Sequence, residues 1–213
     1  MTLSMQRLLL FLLIILSSKF SPAQSQLVIG DCTITYSISG SNAETNKNLA
    51  GTTKTLYIKG KMSRIDMAGN NYKQSVIYNN ETGTAVVLKE IGAEKYILTF
   101  TSDEWKKENK QFEGLSVTLI NETKTILGYE CKKAVAKLQD GSYYNIYYTP
   151  AIIPSANENP YQFKDIPGFV LQYEIYSNKN SSGITYTAAI INFNPVPASR
   201  FQIPSSGYRV LGN

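Results

Sequence analysis

Apolar and polar residues alternate along most of this chain, beginning near residue 32. Cys32, Ile34, Tyr36 and Ile38 are separated from one another by single threonine and serine residues. A strand with one buried face and one polar face requires this period of two, so the pattern predicts a first strand at residues 32–39. It predicts further strands at residues 55–58, 64–67, 75–78, 84–88, 95–100, 116–120, 124–127, 129–138, 142–148, 169–176 and 184–193.

Short polar segments between these strands contain residues that favour turns. Residues 79–83 and the pair Asp140-Gly141 lie where hairpins need residues that tolerate positive φ. Strands that follow one another closely in sequence tend to pair antiparallel, so the pattern predicts a mainly β domain of the α+β class. Residues 102–111 are the one segment typical of a helix, with Ser102 as the predicted N-cap.

Three of the later strands are apolar on both faces. In residues 142–148, Tyr143 and Tyr147 share one face while Tyr144 and Tyr148 share the other. A sheet with two partly apolar faces needs something packed against each of them.

Tyrosine suits the wall of a cavity or an interface because it combines an apolar ring with a polar tip. One hypothesis is therefore a ligand-binding surface, and the alternative is the ordinary core of a sandwich or barrel. The candidate ligand-binding residues are Tyr143, Tyr147, Phe169, Leu171 and Tyr173.

The N-terminus has the features of a secretory signal peptide. Arg7 precedes an unbroken apolar run at residues 8–16, and small residues follow at Ser21-Pro22-Ala23. The alternative is a permanent membrane anchor, but the run is well short of the ~20 residues that span a bilayer. The sequence therefore predicts a cleaved signal peptide at residues 1–23 and one soluble domain at residues 24–213, without a further transmembrane span.

Two cysteines, Cys32 and Cys131, remain in this exported domain. An oxidising compartment favours a disulfide between them. The alternative is a pair of buried free thiols, because cysteine also packs well as a small apolar side chain.

The residue inventory argues against several kinds of chemistry. The chain has no histidine, which excludes Ser-His-Asp and Cys-His nucleophilic sites and the usual zinc ligands. It also lacks a phosphate-binding glycine loop, an EF-hand and a dinucleotide fingerprint, so no cofactor or metal is indicated.

A carboxylate pair near Trp105 could still serve a glycosidase, but the simpler interpretation is an exposed helix carrying charged residues. Its lysines, Lys106, Lys107 and Lys110, lack interleaved aromatic residues. They indicate a solvated face, and no nucleic-acid partner is predicted. The composition therefore favours a protein that is not an enzyme.

Several segments resemble a known family. Residues 123–134 (TKTILGYECKKA), 147–150 (YYTP) and 160–171 (PYQFKDIPGFVL) resemble the GLPGLI family of secreted envelope proteins of Gram-negative bacteria. The end of the chain, residues 201–208, is similar to the end of a neighbouring family of unknown function. Pro167 and Gly168 keep the central Pro-Gly of the family motif, and this pair is typical of a tight structural turn before a strand.

The resemblance implies a single, open and strongly curved antiparallel sheet, a half-barrel like that of LolA and LppX, with one or two short helices. It also implies a periplasmic or extracellular location. Two hypotheses follow. The protein is a carrier or sensor of a lipid or another hydrophobic ligand, or it is an envelope accessory protein that docks a protein partner through its sheet.

Overall fold

The computed structural model describes residues 26–177 and 180–212. The predicted signal peptide, residues 1–23, lies outside the described residues. Within those ranges, none of the helices combines the length and the apolar character needed to cross a membrane.

The described residues form fourteen strands and two short α-helices. In chain order, the elements are β1 (Leu27–Ile29), β2 (Asp31–Gly40), α1 (Ala43–Asn48), β3 (Thr53–Lys59), β4 (Met62–Gly69), β5 (Tyr72–Asn79), β6 (Ala85–Ile91), β7 (Glu94–Phe100), α2 (Ser102–Glu108), β8 (Ser116–Ile126), β9 (Tyr129–Lys137), β10 (Tyr143–Thr149), β11 (Ile152–Pro154), β12 (Phe169–Ser177), β13 (Asn180–Asn192) and β14 (Arg209–Val210). Two 3-10 turns cover Lys110–Phe112 and Ala198–Phe201.

Twelve of these strands form one curved, open sheet in the order β14-β7-β6-β5-β4-β3-β2-β13-β12-β10-β9-β8. Pairing within it is antiparallel except between β14 and β7. β1 and β11 form a separate parallel pair. The structure thus confirms the predicted fold class, a single curved antiparallel sheet with two short helices.

Two local predictions differ from the structure. Residues 116–120 and 124–127 belong to one strand, β8, because a bulge between Ile120 and Thr123 lets the chain continue along β9. Helix α2 is present, but its N-cap is Thr101 and not Ser102. The Thr101 hydroxyl accepts from the Glu104 amide and the Glu104 carboxylate accepts from the Thr101 amide, which forms a capping box.

One side of the sheet carries most of the core, and we call it the inner face. Register places Ile34 beside Leu56 on this face, and both side chains are fully buried. The β1–β11 pair and the irregular segment 155–168 supply further buried residues, including Ile152 and Phe163. A smaller cluster of Tyr78, Ala85, Val87 and Phe100 packs against Trp105 of α2.

The Pro167-Gly168 pair forms a tight turn directly before β12. The Gly168 amide donates to the Ile166 carbonyl at 2.9 Å, which closes a three-residue turn around Pro167. A Cβ atom at Gly168 would lie 2.4 Å from the Thr149 carbonyl oxygen. Glycine is therefore required here because the backbone of β10 approaches too closely for any side chain.

The predicted disulfide between Cys32 and Cys131 is absent from the structure, in which both cysteines are buried free thiols. Three strands separate β2 from β9 in the sheet. Four interstrand spacings amount to about 19 Å along the sheet. A disulfide joins Cα atoms that are roughly 4.4–6.8 Å apart, so this strand order does not bring the two thiols together.

Candidate functional site

The five residues predicted to form one binding surface lie in two different environments. Phe169, Leu171 and Tyr173 are buried in the main core. Tyr143 and Tyr147 alternate with the buried residues of β10 and point to the other side of the sheet, which we call the outer face, although Tyr147 is partly buried and still packs against the edge of the main core. The pairing of strands, which the sequence does not encode locally, separates the two groups.

The outer-face tyrosines contact side chains of their own sheet. The Tyr143 ring stacks on Tyr176 with ring centroids 4.6 Å apart. Tyr147 lies beneath two ammonium groups, those of Lys124 at 5.4 Å and Lys133 at 5.7 Å. Its hydroxyl donates to the Glu122 carboxylate, which also pairs with Lys133 at 2.7 Å. Part of the surface of both tyrosine rings is therefore already covered by contacts within the protein.

A charged cluster on the inner face was not predicted. Lys54 of β3 is 2% exposed and is in phase with the buried Leu56 and Ile58 along its strand. A lysine in phase with core residues was the sequence signal that could have identified it. Lysine is almost never fully buried unless it has a partner.

The partner is Glu158, which lies in the irregular segment 155–168. Lys54 Nζ donates to Glu158 Oε1 and to the Tyr173 hydroxyl. The Tyr36 hydroxyl donates to Glu158 Oε2 at 3.2 Å, and the Tyr173 hydroxyl lies 3.5 Å from Oε1. Three donors from three strands thus converge on one carboxylate.

Aromatic rings surround the Lys54 ammonium. Its Nζ lies 4.7 Å from the ring centroids of Tyr36 and Tyr173 and 5.0 Å from that of Tyr186. Tyr173 stacks on Tyr186 at 4.8 Å, and Phe163 packs edge-on against Tyr173 at 5.1 Å. Cation–π attraction is strongest where the cation is desolvated, as it is here.

The tyrosine hydroxyls of this cluster are kept protonated. Burial, and then the negative charge of Glu158, raise the pKa of Tyr36 and Tyr173 well above the ordinary tyrosine value. Both hydroxyls therefore act as hydrogen-bond donors toward the carboxylate at any physiological pH.

Segment 155–168 holds Glu158 against the inner face, with Phe163 buried in the core and the Ser155 hydroxyl hydrogen-bonded to the Gly30 and Gly60 carbonyls. The Asn157 amide donates to Asn80 Oδ1 at 3.2 Å, while Asn80 Nδ2 is buried without a hydrogen-bond partner. A cavity of about 20 Å³ lies beside Glu158, bounded by Phe163, Ile166 and Phe169 among others. This volume corresponds to roughly one water molecule.

A separate cavity of about 300 Å³ lies at the end of α2. Lys106, Lys110 and Lys164 line it together with Phe112 and Tyr161. The carboxylate next to Trp105 in the sequence, Glu104, is engaged in the capping box of α2. Lys106, Lys107 and Lys110 are exposed, as expected of a solvated face, and Lys164 is exposed as well.

Strand β8 forms one end of the sheet. It pairs with β9 on one side, and among the described residues no strand pairs with its other edge. Its first half, residues 116–120, contains neither a charged residue nor proline. Leu119 is 58% exposed and Ile120 is 37% exposed.

Residues 48–199 match the family described as N-glycanase peptide, N-terminal domain. The chain belongs to this family. Membership of the N-glycanase N-terminal domain family rests on sequence over most of the folded region. Membership of the GLPGLI family stays a prediction.

Solved structures of PNGF-II have the same fold as this N-glycanase N-terminal domain. Two of them, in different crystal forms, align with TM-scores of 0.51 at 14% identity and cover 84% and 85% of this chain. The alignment covers 30% and 32% of those chains, so this chain spans about a third of their length. A conserved protein from Thermus thermophilus aligns over 84% of this chain and 89% of its own, with a TM-score of 0.49 at 7% identity. No curated protein matches the chain.

Proposed function

We propose that this protein is an exported, non-catalytic accessory module that docks an extended segment of a partner protein along the edge of β8. The partner segment would pair with β8 as an additional strand of the sheet, the mode of recognition known as β-augmentation. Main-chain hydrogen bonds would supply affinity, and Leu119 and Ile120 would contact alternate side chains of the segment.

The unprotected edge at residues 116–120 is the observation that carries this proposal. Natural sheets blunt their edges with charged residues, proline, bulges or very short strands, because an open edge pairs with other chains. The opposite end of the sheet follows this rule, since β14 consists of Arg209–Val210 alone. β8 has eleven residues, and its bulge and Lys124 protect the second half of the strand but not the first.

The family supports an accessory role. In the PNGF-II structures this fold occupies about a third of the chain, so there it accompanies a larger remainder. The absence of histidine removes the commonest general base, which agrees with a binding role more readily than with catalysis.

The test is site-specific photo-cross-linking in the cells that produce the protein. A photoreactive residue replaces Leu119 in one variant and Ile190 in a matched control. Ile190 is a similarly exposed apolar residue, at 60%, on β13. We expect one reproducible adduct from position 119 and none from position 190. The L119K substitution should abolish co-purification of the same partner, while I190K should leave it unchanged.

Two results would contradict the docking proposal. One is the lack of any adduct at position 119 in folded protein. The other is an adduct with twice the mass of the chain, which would show that a second copy and not a different protein occupies the edge.

The second candidate function is a carrier or sensor of a lipid or another hydrophobic ligand. It is favoured by the aromatic lining of the inner face beneath segment 155–168, where Tyr173 and Phe169 lie. Native mass spectrometry of gently purified protein, followed by solvent extraction, tests it. A reproducible adduct that extracts as lipid supports this function, and a bare protein mass argues against it.

A further inference from the structure

The Lys54 cluster has the composition of an anion receptor. Its donors, Lys54, Tyr36 and Tyr173, are fixed on three strands of the sheet, and each is nearly inaccessible to solvent. The acceptor, Glu158, comes from a segment that contains no strand or α-helix. The receptor is thus part of the rigid scaffold, whereas its occupant belongs to the covering loop.

A buried ion pair is a costly way to stabilise a fold. Removing both charges from water costs several kcal/mol per ion, and apolar residues of similar volume are often at least as stable. Segment 155–168 is also a long irregular connection, and such connections in compact domains are usually functional or disordered. The pair therefore calls for an explanation beyond stability.

The surroundings define the kind of anion that would fit. The donors contact both oxygens of a single carboxylate. The walls are the rings of Tyr36, Tyr173, Tyr186 and Phe163, and the adjoining small cavity is bounded largely by apolar side chains. A molecule with one carboxylate and an apolar body matches both features.

We propose that the inner face is a receptor for the carboxylate of an apolar monocarboxylic acid, and that Glu158 is its internal occupant. The ligand binds when segment 155–168 withdraws and takes Glu158 out of the cluster. The apolar body then occupies the space that Phe163 and its neighbours fill in the closed form. The apolar body of the ligand rests on the second candidate function, the carrier or sensor of a hydrophobic ligand. The recognition of the carboxylate does not depend on that function.

An internal occupant makes a distinctive prediction about affinity. Glu158 is tethered to the site, so its effective concentration is high and it weakens the apparent binding of any free carboxylate. Removing it should strengthen ligand binding. A residue with a purely structural role would have no such effect.

The experiment is equilibrium dialysis of labelled octanoate against the wild-type protein and single variants. We expect E158A to bind octanoate at least tenfold more tightly than the wild type and K54M to lose binding. Tyr36→Phe, which keeps the ring and removes one donor, should weaken binding several-fold. K59M is the matched control for K54M, because Lys59 lies in a partly exposed ion pair with Asp31 away from the cluster, and it should bind like the wild type.

Two further probes separate the parts of the proposal. Octanol lacks the carboxylate and should not bind E158A. Acetate has the carboxylate but lacks the apolar body. Equal affinity for acetate and octanoate would support a carboxylate receptor but would contradict an apolar ligand, and so also the carrier function. Unchanged octanoate affinity in E158A, or undiminished affinity in K54M, would overturn the receptor itself.

The E158A variant remains informative if it unfolds on its own. A ligand that binds the native state stabilises it by mass action, so octanoate should then restore folding in a saturable way. Failure of saturating octanoate to restore the fold would overturn the proposal.

Discussion

Lys54 and Glu158 are 104 positions apart in the chain, yet their charged groups pair inside the protein. Their side chains are 3% and 7% exposed. The pair joins the covering segment 155–168 to the middle of the sheet, where β3, β2, β13 and β12 lie side by side. The same ion pair thus holds the covering segment in place and fills the proposed binding site for a carboxylate.

Removing one charge of this pair should be strongly destabilising. We expect Lys54→Met to lower the free energy of unfolding by about 3–5 kcal/mol, because it leaves a buried carboxylate without its cation. Urea denaturation measures the change. The control is Lys59→Met, which breaks a partly exposed pair with Asp31 and should lower the free energy of unfolding by no more than about 1 kcal/mol. Equal losses in the two variants would contradict the prediction.

Gly168→Ala should destabilise the turn before β12. The new Cβ would lie 2.4 Å from the Thr149 carbonyl oxygen, and neither backbone can move without disturbing strand pairing. We expect a loss of about 1–3 kcal/mol or more, as for other overpacked sites. Gly30→Ala is the control, since a Cβ there has no neighbour within 4 Å. Thermal unfolding of the two variants gives the comparison.

The two thiols should be unreactive in the folded protein. Burial, the largest cause for both, raises the pKa of Cys32 to about 12 and that of Cys131 to about 11. The nucleophilic thiolate is therefore scarce at neutral pH. We expect no reaction with a thiol reagent at pH 8 until denaturant is added, and then two modified cysteines. An intact mass lower by two hydrogens would instead show a disulfide.

Stability should fall at alkaline pH. The pKa values of Tyr36 and Tyr173 are raised in the folded state, so above pH ~10 the unfolded chain loses protons that the folded protein retains. Their contribution to stability is complete below the unfolded value and is lost as the pH rises toward the folded one. Melting temperatures at pH 8 and pH 10.5 test this. The melting temperature of Tyr36→Phe should fall less between these two pH values than that of the wild type. An equal fall in both proteins would count against these tyrosines as its cause.

Most strands were predictable because each one carries its own signal, whereas β1, β11 and β14 have three residues or fewer and are too short to show a period. Alternation such as that of Cys32, Ile34 and Tyr36 reflects burial of one face, and it survives in any sheet that has a single core. Helix α1 was missed because its six residues bury no side chain and so produce no apolar period. The local signals available were its N-cap, Asn42, an acidic residue in the first turn, Glu44, and a basic residue in the last turn, Lys47.

The binding surface was harder to predict because alternation assigns faces within a strand but not between strands. Tyr143 and Tyr173 each lie on an apolar face of their own strand. Register places Tyr143 opposite Tyr176 and places Tyr173 opposite Ile146, so the two tyrosines point to opposite sides. The same limit applies to Cys32 and Cys131, whose separation depends on strand order.

By itself, the sequence determined the antiparallel β class, the position of most strands, helix α2 and the absence of histidine chemistry. Local residue types and their period are sufficient for these features. Only the tertiary structure decided that Glu158 meets Lys54, that the cysteines stay apart and that no strand among residues 26–177 and 180–212 pairs with the free edge of β8. Each of these depends on pairing between residues far apart in the chain, and that pairing is set by strand order, register and the path of segment 155–168.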